Sequence, residues 1–273
     1  MGKDPTCRRR GLTRAAVLAL AAVLVAPRPI CAGAWTLDRG QVQVISGVTV
    51  SRATHRFDGS ASPAQKIVFK KLFIQNWTEY GLTDAVTLFA APEYIVATSD
   101  MTGAGVDHAR TSSIEAGARI LLLSHIGMFS VQMSGKTAGA FNMSTSAGGK
   151  SGWQVELRLL YGRSFRLLRR DGYLDLQVAE RWIKHPRPNE MTIDATAALW
   201  LTPRYLVMLQ SFNTIAGGGA RPPYEYYRQH KLQLSLLQRL TPRWSLQAGA
   251  FISPAGQNII QEQGVITQLW YRY

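Results

Sequence analysis

Cysteine is almost missing from this chain: the only two, Cys7 and Cys31, fall within the first 31 of its 273 residues. If those residues are an export signal, what remains can form no disulfide and no thiolate metal site, so packing and hydrogen bonds must hold it together. Charge is scarce as well, at 18% of residues against about 25% in ordinary soluble domains. Long apolar runs are lacking beyond residue 34, where none approaches the roughly 20 residues that a helix needs to cross a bilayer. Low charge without spanning helices excludes a helical membrane protein. It suits a membrane barrel, in which apolar residues are diluted by alternation with polar ones. Histidine is sparse too: five are present, and His55, His108, His125, His185 and His230 show no pair at metal-ligand spacing.

What is present begins with a tripartite N-terminus. A basic stretch (Lys3, Arg8, Arg9, Arg10, Arg14) precedes an apolar run from Ala15 to Ala26 and a small-residue exit, Ala32-Gly33-Ala34. This order predicts a secretory signal over residues 1–34, cut before Trp35, and a single mature domain over 35–273. Removing it leaves 25 basic and 16 acidic residues, a net charge of +9. The basic residues are scattered rather than gathered on one face, which argues against a nucleic-acid partner and for anionic lipid headgroups or anionic solutes.

Twelve segments of the mature chain read as strands, most with apolar residues at every second position. The clearest are 41–51, 113–123, 152–162, 231–240, 245–252 and 263–273; 69–80, 86–96, 128–134, 173–183, 191–200 and 205–212 fill the gaps. The links between them alternate between long and short. An even-stranded outer-membrane barrel produces that rhythm, with both termini on the periplasmic side. Leu201-Thr202-Pro203-Arg204 and Leu240-Thr241-Pro242-Arg243 repeat at two of the short links, where Pro presets a reversal and cannot sit mid-strand. The link from Arg163 to Asp171 reads as intermediate in length. Aromatic residues gather near the short-link ends at Tyr80, Tyr161, Tyr173, Tyr205, Trp244, Tyr271 and Tyr273, as an interfacial girdle would. The fold class is therefore an all-β, antiparallel transmembrane barrel of about 12 strands.

The last strand ends on an aromatic. Leu269, Tyr271 and Tyr273 form one face of it, the place where barrel-assembly machinery takes hold of a free C-terminal strand. The opposite parity through the chain assigns an inward, pore-lining face to Glu79, Glu115, Arg119, Glu156, Arg158, Asp175, Arg181, Asp194, Lys231 and Arg272, with Gln75, Gln177, Gln233, Arg239, Gln247 and Gln268. Rings of mixed charge can set solute preference, or can pair across the lumen and fill it. Phe73, Trp77, Phe251 and Trp270 share that face, as stacking positions or as packing. Asn76 and Glu180 fall on the lipid side, where they read as bulges or as departures from the alternation.

Gly33-Ala34-Trp35-Thr36-Leu37 with Gly40, Phe57-Asp58, and Glu79-Tyr80-Gly81-Leu82-Thr83-Asp84 before Thr87-Leu88 resemble the proteobacterial outer-membrane channels grouped under the meta-pathway for phenol degradation. The resemblance implies a barrel that passes small solutes, aromatic ones among them, and it supplies no catalytic residue to carry over. Its specific residues are confined to the first sixty or so of the mature chain.

Three function classes fit such a barrel: a passive channel, a structural or adhesive barrel with partner-binding outer loops, and a lipid-modifying enzyme. The last needs a serine within reach of a histidine, which on one strand means two positions apart, and no histidine offers it on its own strand. No cofactor is expected. Gly217 to Gly219 beside Pro222-Pro223 lacks the Lys and helix of a phosphate loop and reads as loop. The reading is an outer-membrane channel, non-enzymatic, whose partners are membrane lipid, the assembly machinery and a small solute.

Overall fold

The computed structural model describes residues 33–100, 106–137, 152–217 and 224–273. The segment read as an export signal lies outside the described residues except for Gly33 and Ala34. Twelve strands follow in order: β1 (Val42–Arg56), β2 (Gln65–Thr83), β3 (Val86–Asp100), β4 (Val106–Leu123), β5 (Met128–Lys136), β6 (Gln154–Leu167), β7 (Arg170–Ile183), β8 (Glu190–Trp200), β9 (Tyr205–Ala216), β10 (Arg228–Arg239), β11 (Trp244–Gln257) and β12 (Gln263–Arg272). Each pairs antiparallel with the next, and β12 returns to β1, so the sheet is a closed barrel with no free edge. Closure satisfies every strand's backbone within the wall, which is the condition for crossing a bilayer with strands.

The twelve sequence segments map one to one onto these strands, and several strands run further at the long-loop end than alternation alone indicates. β2, for example, begins at Gln65 and not at Phe69. Residues 84–85, 124–127, 168–169, 201–204 and 240–243 make the short turns, at the same end as both termini of the barrel. The two Leu-Thr-Pro-Arg turns bond alike. The hydroxyl of Thr202 accepts the Tyr205 amide at 3.1 Å, and that of Thr241 accepts the Trp244 amide at 3.0 Å.

Three expectations are corrected. The link read as intermediate between Arg163 and Asp171 is a two-residue turn, because β6 and β7 pair down to Leu167 and Arg170. Leu168 and Arg169 both take positive φ, 50° and 64°, the geometry of a type I′ hairpin. Tyr173 does not belong to the girdle: its parity on β7 is inward, and it is buried. Asn76 and Glu180 mark no bulge, since the register runs through both unbroken. Asn76 stands on the outer wall and donates its amide to Ser46 Oγ at 2.8 Å.

Candidate functional site: the lumen

The inward face of the barrel is polar and lies at two levels. At the short-turn end, residues 33–41 run inside the wall. Ala34 donates its amide to Asp175 at 2.7 Å and accepts the Ser130 hydroxyl at 2.5 Å. Arg119 Nη1 donates to the carbonyl of Trp35 at 3.0 Å, and the amide of Leu37 bonds to Thr87 Oγ1 at 2.8 Å. The Trp35 ring meets Tyr173 edge-on, with centroids 5.6 Å apart. Two inward glycines make the space: a β-carbon on Gly162 would stand 2.6 Å from the Trp35 ring, and one on Gly81 would stand 2.1 Å from the Asp38 carbonyl oxygen. Sequence reasoning missed this segment, because a short aperiodic stretch carries no sign of where it docks. Arg119 and Asp175, read as pore-lining, do face the lumen, and both hold this segment. Arg119 also donates to Glu79 at 3.0 Å.

Above it, carboxylates and guanidinium groups alternate around three neighbouring strands. Arg158 donates to Glu156 at 2.7 Å and to Asp194 at 2.8 Å; Arg181 donates to Glu156 at 2.6 Å and to Glu190 at 2.8 Å. Cross-strand register explains the match, since Glu156, Arg181 and Glu190 stand directly opposite one another on β6, β7 and β8. Glu190 also accepts the Tyr227 hydroxyl. Burial pushes the Tyr227 phenol well above its ordinary value, and Glu190 adds to the shift, so it remains a donor. On the adjoining wall of β3 to β5, Lys136 donates to Glu93 at 2.7 Å, and Ser134 to Glu115 at 2.7 Å. Arg272 donates to Gln43 near the short-turn rim, and the guanidinium of Arg239 sits over the Trp200 ring.

The outer end is narrowed by residues 258–262, which turn inward. Ile260 packs with Ala53, Ile67, Phe69 and Ala97, and Ile259 with Phe57, Ala216 and Tyr227. Glu262 closes the segment onto the wall: it bonds to Ser51 Oγ at 2.5 Å, to Lys231 at 3.0 Å and to Lys71. Burial acts to push this carboxyl up, but the two ammonium groups and the Ser51 hydroxyl outweigh it and hold Glu262 well below the usual carboxylate range. Glu262, Glu190 and Glu93 were absent from the sequence-based set, as were Lys71 and Lys136. Glu190 and Glu262 lie just beyond the segments whose alternation was legible; Lys71 and Glu93 could have been found by extending the parity of Phe73 and Phe89.

Among the described residues, two large cavities share this lumen. The outer one, about 490 Å³, is lined by Lys71, Lys136, Arg158, Arg181 and Lys231 against Glu93, Asp194 and Glu262, and by Phe69, Phe73, Phe212 and Phe251. The inner one, about 510 Å³, reverses the balance: Glu79, Glu115, Glu156, Asp175 and Asp194 face Arg119, Arg158 and Arg181. Arg158, Arg181, Asp194 and Phe212 border both. Of the inward aromatics, Trp77, stacked on Phe89 at 4.7 Å, and Trp270 line the inner cavity, and Phe73 and Phe251 line the outer one.

On the outer wall, His230 Nδ1 lies 2.6 Å from Asn213 Oδ1, and the amide of Asn213 donates to Ser211 Oγ at 3.1 Å. The asparagine stands between the serine and the histidine, so the hydroxyl is not presented to a base. Among the described residues no group of acidic, His or Cys side chains is placed to hold a metal ion.

No family model matches this chain, and no curated protein matches it in sequence. Solved structures do match. An outer membrane channel from Pseudomonas putida superposes with a TM-score of 0.67 at 14% identity, over 90% of this chain and all of that one. The translocator domain of the autotransporter NalP from Neisseria meningitidis gives 0.52 at 14% identity, over 95% of each chain. The NanC porin gives 0.50 at 8% identity, over 84% of this chain and 98% of the porin. The fold is that of the bacterial outer-membrane β-barrels.

Proposed function

We propose that the chain is an outer-membrane channel for small anionic solutes, aromatic acids among them. The observation that carries this reading is the outer cavity, where five cationic side chains face three carboxylates and four phenylalanines supply apolar surface. An excess of positive charge in a low-dielectric vestibule concentrates anions, and aromatic walls favour a ring over a hydrated ion of the same charge. The N-terminal segment and the 258–262 segment then set the inner and outer restrictions. In the same reading an N-terminal export signal leaves, the remainder folds as one domain, the assembly machinery engages the face of Leu269, Tyr271 and Tyr273, and no residue has a catalytic role.

The test is single-channel recording of the refolded barrel, with reversal potentials in a salt gradient and liposome swelling in benzoate against uncharged sugars of like size. Anion-selective conductance and faster swelling in benzoate are expected. A heat-modifiable barrel that neither conducts nor admits benzoate overturns the channel reading.

A further inference from the structure

The outer wall carries a second feature that passage through the lumen does not use. Across five adjacent strands, Val96, Leu72, Val50, Val265 and Ala250 are register neighbours and form one apolar row. The next row toward the long-loop end reads Thr98, Lys70, Arg52, Gln263 and Ile252. These rows border a groove of about 780 Å³ whose surface is almost wholly apolar beneath its polar upper edge.

Lys70 and Arg52 stand directly opposite each other and are exposed. Like charges so placed repel, and a sheet gains nothing by keeping them. Neither pairs with a described carboxylate: the outward described residues of β1, β2, β11 and β12 include none, and Asp100 on β3 stands one row further out, opposite Val68. Lys66, two positions beyond Val68 on β2, extends the cationic edge outward, and Arg110 on β4, opposite Val96, ends the apolar row with a further cation.

The height of the pair fixes what it faces. From Tyr80 in the girdle to Lys70 is ten residues of β2. At about 3.3 Å per residue and a tilt of about 40°, that rises about 25 Å, the height of the apolar band of an outer-membrane barrel. Arg52 and Lys70 therefore emerge where outer-leaflet headgroups begin, with the apolar groove directly below at acyl-chain depth.

We infer that this groove binds the phosphorylated glycolipid of the outer leaflet, lipid A, with its acyl chains on the Val96-to-Ala250 row and a phosphate between Arg52 and Lys70. The fork of Arg52 suits bidentate contact with phosphate, and the bound dianion turns the repulsion of the pair into attraction.

The full-length mature barrel, refolded in dodecyl maltoside, is titrated with diphosphoryl lipid A and read by native mass spectrometry. At about 1 kcal/mol per cation near a lipid surface, the double variant Arg52→Ala/Lys70→Ala binds about thirtyfold more weakly. Heat-modifiable migration confirms that it folds. Removing the phosphates from lipid A weakens binding to the wild type by a similar factor and leaves the variant unchanged. Equal affinity of variant and wild type overturns the inference, and so does phosphatidylglycerol binding as tightly as lipid A. A change in monomer–dimer balance without a change in lipid binding would assign the groove to a second copy of the chain and overturn it too. None of these results depends on whether the lumen conducts.

Discussion

Glycine at position 162 leaves room for the Trp35 ring, which would stand 2.6 Å from an added β-carbon. Gly162→Val therefore displaces Trp35 from its contact with Tyr173 and loosens the inner restriction. We expect a larger single-channel conductance from a barrel that still shifts on heating; unchanged conductance would mean that the segment does not limit flow. The turn at Leu168 and Arg169 poses the opposite case, a place where the preferred residues are missing. Both residues sit in the left-handed region, which costs about 1–2 kcal/mol for a residue with a β-carbon. Leu168→Asn with Arg169→Gly relieves part of that, and a gain of about 1 kcal/mol is expected in urea unfolding from lipid vesicles. The same pair shows why this turn was not legible: Leu-Arg carries none of the Asn or Gly that marks a two-residue hairpin. Tyr173 was misplaced for a related reason. Proximity to a strand end suggests a girdle, but only parity decides which side of the wall a side chain takes.

At the scale of elements, the inward-turned segment 258–262 is held by two isoleucines and one carboxylate. Burying each isoleucine contributes about 1.5–3 kcal/mol. Glu262 adds the polar clamp to Lys71, Lys231 and Ser51. A carboxyl whose folded value lies below its ordinary 4.5 contributes stability at every pH above that value and loses it as pH falls through the folded one. The clamp is therefore intact at neutral pH and weakens only in acid well below pH 4.5. Glu262→Gln leaves Lys71 and Lys231 near each other without their shared counter-charge. We expect it to raise conductance at pH 7, and the wild type to approach that conductance only under strong acid; equal conductance of the two at pH 7 would show that the segment is held by its isoleucines alone. The strands themselves were legible because alternation persists wherever one face meets lipid. This segment was not, because beyond the bilayer the two faces no longer meet different solvents and the period fades.

For the whole molecule, the inward charges were largely readable one by one, since Glu156, Arg158, Arg181 and Asp194 follow from parity alone. Their pairing required the register, which places β6, β7 and β8 so that opposite charges meet. What emerges only at this scale is polarity along the axis. The outer cavity carries more cations than carboxylates and the inner one more carboxylates than cations. An anion entering from outside meets attraction first and repulsion second, and from inside the reverse, so current through the channel should rectify. The effect is a screened field: the Debye length is about 10 Å at 0.1 M salt and about 3 Å at 1 M. Rectification is expected in bilayers at 0.1 M and should fade at 1 M. It should also diminish in Lys71→Gln/Lys136→Gln, which lowers the outer excess of positive charge, whereas a symmetric current at low salt would show that paired lumen charges leave no net field along the path.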